Sequence, residues 1–204
     1  MKRMVIALVL AGLWLVPSMA GAQQDTYIAA KIGFHVAPST HLGVNRVSPD
    51  PGLSIMGALG LQLQEPFRVE AELSYLGHHY DGRNRITGAG IEGSYDTLNL
   101  MFNGMIDVNR PGPVNPYVGL GMGVSVVNVD RTALGGNTVD DTDAEPALQT
   151  ILGVEFTPQT TPARIVAEYR YFLSADPEFN FGGATLPTEL EAHQFLIGFR
   201  YMFP

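Results

Sequence analysis

Apolar and polar residues alternate singly along much of this chain, most cleanly at its end. In residues 193–203 the odd positions include Phe195, Ile197, Phe199, Tyr201 and Phe203, and the even ones include Gln194, Gly198 and Arg200. Successive side chains of a strand point to opposite faces, so one face here is a continuous apolar and aromatic wall. About ten residues of such a wall suffice for a tilted strand to cross a bilayer.

The same period-two pattern recurs seven more times. Residues 27–35 set Ile28, Ala30, Ile32 and Phe34 against Ala29, Lys31 and Gly33, and 53–64 alternate Leu53, Ile55, Leu59 and Leu61 with Ser54, Ala58, Gly60 and Gln62. Residues 67–76 oppose Phe67, Val69, Leu73 and Tyr75 to Arg68, Glu70, Glu72 and Ser74, and 95–108 oppose Leu98, Leu100, Phe102 and Ile106 to Asn99, Asn103 and Asp107. In 117–127 Val118, Leu120, Met122 and Val124 face away from Gly119, Gly121, Gly123 and Ser125. Residues 147–157 part Leu148, Leu152, Val154 and Phe156 from Gln149, Gly153 and Glu155, and 164–173 part Ile165, Ala167, Tyr169 and Tyr171 from Glu168 and Arg170. Eight such segments predict an all-β chain.

Connections alternate in length. Segments two to three, four to five and six to seven are joined by short links at 65–66, 109–116 and 158–163, whereas 36–52, 77–94, 128–146 and 174–191 read as long loops. Short turns at one end and long loops at the other are the arrangement of outer-membrane barrels. The fold expected is an eight-stranded antiparallel up-and-down transmembrane β-barrel.

A soluble barrel would turn the apolar face inward and a membrane barrel outward. Lys31, Arg68, Glu70, Glu72, Asp107, Glu155, Glu168, Arg170 and Arg200 all lie on the polar faces, among Gly and Ala. Eight strands enclose a space just wide enough for side chains to fill, which suits small residues and compensating charges. The apolar faces carry almost no charge, as a wall in lipid requires, since an Arg at the midplane costs about 2–4 kcal/mol. The membrane reading is favoured, and with it a lumenal charge network of Lys31, Arg68, Glu70, Glu72, Glu155, Glu168, Arg170 and Arg200. Aromatics near the segment ends, including Tyr27, Phe67, Tyr75, Tyr95, Phe156, Tyr171, Tyr201 and Phe203, suggest interfacial girdles.

The first residues bear on the compartment. Lys2 and Arg3 precede an apolar run over 4–16, followed by Pro17 and Ala20, Gly21 and Ala22. The run is too short to span a membrane. It reads as a secretory signal peptide over 1–22, cut after Ala22, with 23–204 forming one barrel domain. With Lys2 and Arg3 gone, 10 basic residues face 20 acidic ones, which argues against a nucleic-acid partner. There is no cysteine, hence no disulfide, thiolate nucleophile or cysteine metal site.

The stretches 67–75 (FRVEAELSY), 115–123 (NPYVGLGMG) and 198–203 (GFRYMF) resemble the small eight-stranded outer-membrane barrels: the OmpA-like transmembrane domain, opacity-type porins and related surface antigens. The resemblance spans essentially the whole mature chain. It implies residence in the outer membrane of a Gram-negative bacterium, with lipid and lipopolysaccharide around the wall. It implies a C-terminal signal, here Phe199, Tyr201 and Phe203, read by the barrel-assembly machinery. Family members usually end on the aromatic itself, whereas Pro204 follows Phe203 here. No peptidoglycan-binding domain is expected after the barrel, so an OmpA-type anchoring role is not implied.

No catalytic, cofactor or metal set stands out. His78, His79, Asp81 and Ser94 could supply a base and hydroxyl to an outer-leaflet lipid-modifying enzyme, but a polar loop entrance explains them better. The remaining histidines, His35, His41 and His193, are scattered. Asp140, Asp141, Asp143 and Glu145 concentrate carboxylates as a hard-cation site would, yet Pro146 stands where an EF-hand loop needs glycine. Gly119, Gly121 and Gly123 lie inside an alternating strand with no helix after it, which suits close packing rather than a phosphate loop. The expected role is structural or surface interaction, not enzymatic. Long loops would face host or environmental ligands. A narrow porin is the alternative.

Overall fold

The computed structural model describes residues 25–38, 40–42, 45–47, 51–83, 90–108, 112–132, 138–158, 161–174, 179–181, 184–186 and 190–203. Eight long strands carry the fold: β1 (Thr26–Val36), β2 (Gly52–Gln62), β3 (Phe67–Arg83), β4 (Gly90–Asp107), β5 (Val114–Thr132), β6 (Thr138–Phe156), β7 (Ala163–Ser174) and β8 (Leu190–Met202). Each pairs antiparallel with its neighbours in sequence, and β1 pairs with β8, so the sheet closes into a barrel without a free edge. Two small ladders stand apart from it, Thr40–Leu42 with Asn45–Val47 and Phe179–Phe181 with Ala184–Leu186. Among the described residues no helix is long and apolar enough to cross a membrane; a barrel crosses with its strands.

Closure depends on the seam between first and last strands. Its register runs from Tyr27 opposite Met202 to Val36 opposite His193, and the Phe203 amide donates to the Thr26 carbonyl at 2.8 Å. Gly33 and Gly198 face the lumen on either side of this seam. A methyl group at either would strike the backbone of the opposite strand, so the close approach of β1 and β8 requires glycine there.

The burial pattern is that of a globular protein turned inside out. The side chains of Arg68, Arg170 and Arg200 are among the largest wholly buried ones, whereas Leu120 and Met122 are 67% and 66% exposed. Every Lys and Arg whose side chain is described lies on the lumen side, including half-buried Arg164 at the short-turn mouth. Water would reject such a surface, and a bilayer requires it.

Three expectations need correction. Residues 77–94 and 128–146 are largely strand rather than loop: β3 and β4 pair as far as Arg83 opposite Gly90, and β5 and β6 as far as Thr132 opposite Thr138. The acidic run at 140–145 therefore lies on β6, not in a loop. Period-two alternation needs one face in lipid; where the ladder climbs past the apolar band, that constraint is gone although backbone pairing continues. Tyr27 is not a girdle residue: it is 1% exposed and points into the lumen. Nor is the lumen filled only by charged and small residues. Leu76, Met101, Ala147, Phe172 and Ala192 form one apolar cluster inside it, and Met105, Tyr117 and Ile151 a second.

Candidate functional site

The chemistry of the described residues is concentrated in the lumen, and the register explains how. Alternation sends Arg68, Glu70 and Glu72 inward from β3, Glu168 and Arg170 from β7, Glu155 from β6, Lys31 from β1 and Arg200 from β8. The strands curl these around one axis. Five carboxylates (Glu70, Glu72, Asp107, Glu155 and Glu168) then meet five cations (Lys31, Arg68, Arg164, Arg170 and Arg200).

Arg170 bridges two carboxylates. Its Nη1 lies 2.6 Å from Glu72 Oε2, and its Nη2 and Nε lie 2.7 and 2.8 Å from Glu168 Oε2. Lys31 Nζ reaches Glu168 at 2.7 Å and Glu70 at 3.7 Å. Toward the short-turn end, Arg68 pairs with Asp107 at 2.9 Å, Arg164 with Glu155 at 2.8 Å, and Arg200 with both Glu155 and Glu70. Neutral donors take up further lone pairs: Asn103 donates to Glu72 at 3.0 Å, and Gln149 donates to Asn103 Oδ1 at 2.7 Å. Equal numbers of opposite charges, most of them held by more than one partner, are what a dry interior demands of ions.

Two tyrosines complete the assembly. Tyr27 donates to Glu70 at 2.8 Å and Tyr117 donates to Glu168. The Arg200 guanidinium lies 4.7 Å from the Tyr27 ring centre and that of Arg68 lies 4.2 Å from the Tyr117 ring centre, so each ring also faces a cation. Sequence reading passed over both rings as network members. Their signal was parity, since Tyr27 shares the face of Lys31 and Tyr117 that of Gly119. Arg164 was missed in the same way.

Opposite each ring stands a glycine, Gly60 facing Tyr27 and Gly153 facing Tyr117. A methyl group at Gly153 would overlap the hydroxyl edge of the Tyr117 ring. Gly153→Ala should therefore displace the ring and cost about 1–3 kcal/mol, the usual range for overpacking. Outward-facing Gly104 has open space around it, so Gly104→Ala should be near neutral when the two variants are compared by urea titration in lipid vesicles. Equal costs at both positions would defeat this account of Gly153.

Along the strands, Leu76 and Phe172 lie beyond Glu72 and Arg170 toward the long-loop ends, so an apolar layer covers the charged one. Beside it, with Ser54 opposite Leu76 in register, His35 Nδ1 and Ser54 Oγ lie 2.8 Å apart, both fully buried. Of the other chemistry-bearing residues, the backbone pairs His79 with Ser94, but the side chains of His78, His79, Asp81 and Ser94 lie outside the described residues, as does that of His41. Among the described residues no group of three or more His, Cys, Asp or Glu is placed to hold a metal. Phe199, Tyr201 and Phe203 are exposed on the outer wall near the short-turn end, with Tyr201 and Phe203 in edge contact at 5.6 Å.

Charges sealed inside a closed eight-stranded barrel, with apolar side chains outside, define an outer-membrane barrel. The family model for the outer membrane protein beta-barrel domain matches residues 6–203. The chain belongs to this family. Solved structures agree on the fold. Neisserial surface protein A (NspA) is 17% identical, with a TM-score of 0.62 over 89% of this chain and 100% of that one. OprG from Pseudomonas aeruginosa is 12% identical, with a TM-score of 0.56 over 88% and 95%. A major outer membrane protein of Thermus thermophilus is 12% identical, with a TM-score of 0.56 over 89% and 100%. No curated protein matches the chain. At these identities the family fixes architecture and membrane, and leaves the particular role to the chain's own residues.

Proposed function

We propose that this family member is a closed, structural barrel that presents its long-loop end for surface interaction and passes no solute. The single observation carrying this reading is the lumen. Wholly buried Arg170 ties β7 to Glu72 on β3, an apolar layer covers that link, and Arg68, Arg200 and Glu155 fill the short-turn half. Moving an ion or polar solute through would require separating buried ion pairs, each costly to leave unpaired.

In this reading residues 1–22 are removed on export and 23–204 form the barrel. The long-loop ends face out of the cell toward host or environmental ligands, and lipopolysaccharide surrounds the outer half of the wall. Phe199, Tyr201 and Phe203 serve the assembly machinery. The barrel carries no reaction. Planar-bilayer recording decides the central point: the protein should show no steady conductance above that of the bare membrane. Reproducible single-channel steps would replace this reading with a narrow pore, and a lipid A mass shift on overexpression would replace it with an enzyme.

A further inference from the structure

Near the long-loop end of β4 and β5, three wholly buried lumenal oxygens have no hydrogen-bond partner among the described residues: Thr97 Oγ1, Asn99 Oδ1 and Ser125 Oγ. They are neighbours. Asn99 and Ser125 stand opposite one another in register, and Thr97 lies two places from Asn99 on the same face of β4. Asn99 Nδ2 donates to Ser74 Oγ on β3 at 3.3 Å, which turns the amide oxygen the other way, toward β5. Ser125 is in turn opposite Glu145 on β6, a half-buried carboxylate on the face that carries Ala147 and Gln149 inward. One row across three adjacent strands thus bears an amide oxygen, a hydroxyl and a carboxylate, with a second hydroxyl beside it. Cβ atoms opposite in register are about 4.5–5.5 Å apart, close enough for such side chains to converge on one atom.

A buried oxygen left without a donor is destabilising, so these three call for an occupant that attracts lone pairs. One water molecule has two protons to give. A calcium-class ion takes about six to eight oxygens, and an amide carbonyl, hydroxyls and a carboxylate, without sulfur or imidazole, are ligands that suit such a hard cation. The surroundings favour it too. Residues 125–145 hold five carboxylates, Asp130, Asp140, Asp141, Asp143 and Glu145, against the single Arg131. Their potential gathers cations at this mouth without any aspartate serving as a ligand. The acidic run lacks the glycine of an EF-hand loop, but strand pairing gives Glu145 oxygen neighbours on other strands instead.

We propose that Thr97, Asn99, Ser125 and Glu145 form a site for one hard divalent cation of the calcium class, with water filling its remaining positions. One carboxylate among neutral oxygens makes the site weak, with a Kd on the order of 0.1–1 mM. The ion joins β4, β5 and β6 at the long-loop end, and the site requires neither a sealed lumen nor a particular orientation in the membrane. To test it, the barrel would be placed in phosphatidylcholine nanodiscs, whose lipid brings no net charge. It would then be titrated with calcium chloride in about 0.15 M KCl, which screens diffuse attraction to the acidic strands. Calorimetry should show one saturable site. Ser125→Ala and Glu145→Gln should each weaken binding at least roughly tenfold, since even an outer-shell partner is worth that much to a metal site. Ser125→Ala is the sharper variant, because its hydroxyl has no protein partner to lose and the calcium-free urea midpoint should stay unchanged. Calcium should raise that midpoint in the wild type and not in Ser125→Ala. Thr97→Val repeats the test at a second oxygen, and heat-modifiable gel mobility identifies the folded barrel in each case. Absence of saturable binding, or calcium affinity in Ser125→Ala and Thr97→Val equal to that of the wild type, would overturn the site and assign these oxygens to ordered water.

Discussion

Replacing Arg170 with Met should cost the barrel about 3–5 kcal/mol, the range for removing one partner of a buried ion pair. The guanidinium holds Glu72 through Nη1 and Glu168 through Nη2 and Nε, and all three side chains are wholly buried. Without it Glu168 keeps Lys31 and Tyr117, but Glu72 keeps only the amides of Asn103 and Gln149. Met fills much of the same volume, so the loss measures charge rather than a void. The double variant Arg170→Met, Glu72→Gln removes the stranded carboxylate and should recover much of the stability. Because the pair is dry, added salt should leave the cost nearly unchanged. Urea titration of folding in lipid vesicles measures all three. A loss below about 1 kcal/mol is what an exposed pair gives, and would show that water reaches these charges.

The alternation made the fold legible because each strand segment has one face in lipid and the other in a filled lumen. Lys31, Glu72 and Arg170 could be assigned to one compartment from parity alone. Which of them touch could not. Glu72 and Arg170 are 98 positions apart, and their meeting depends on strand register accumulated around the barrel. The apolar lumenal residues were hidden for a related reason. Met101, Met105, Ile151 and Phe172 stand at inward positions but carry the chemistry expected outside. Their parity is that of the polar face, but residue type argued the other way and the sequence reading left them unassigned. Beyond Leu76 and Val127 the signal fails altogether, as the acidic stretch of β6 shows: its backbone pairs Asp140 with Asp130 and Asp141 with Val129 although no face there is apolar. The contact of Phe34 with Phe195 had no sequence signal, because the two become neighbours only when the first and last strands close.

Leu59→Arg tests the orientation of the whole wall through one residue. Leu59 lies mid-strand on β2, 48% exposed, between Ile28 on β1 and Ala71 on β3. With lipid outside, the new guanidinium must sit near the midplane, and the variant should lose about 2–4 kcal/mol of stability in bilayers. Leu59→Ala separates the loss of the leucine from the arrival of the charge and should cost less. On the lumen side Gly60 is no neutral comparison, since the Tyr27 ring occupies the place of any side chain there. Ala58→Ser, beside Ala29 and Glu72 in register, adds only a small polar group to a polar interior and serves better. Membrane depth makes the prediction sharp, because the same substitution near either interface costs only about 0–1 kcal/mol. A value that small for Leu59→Arg would mean that the middle of β2 does not lie in the middle of the bilayer. Wild-type protein recovered from the soluble periplasm, with no heat-modifiable mobility, would remove the bilayer from the account entirely.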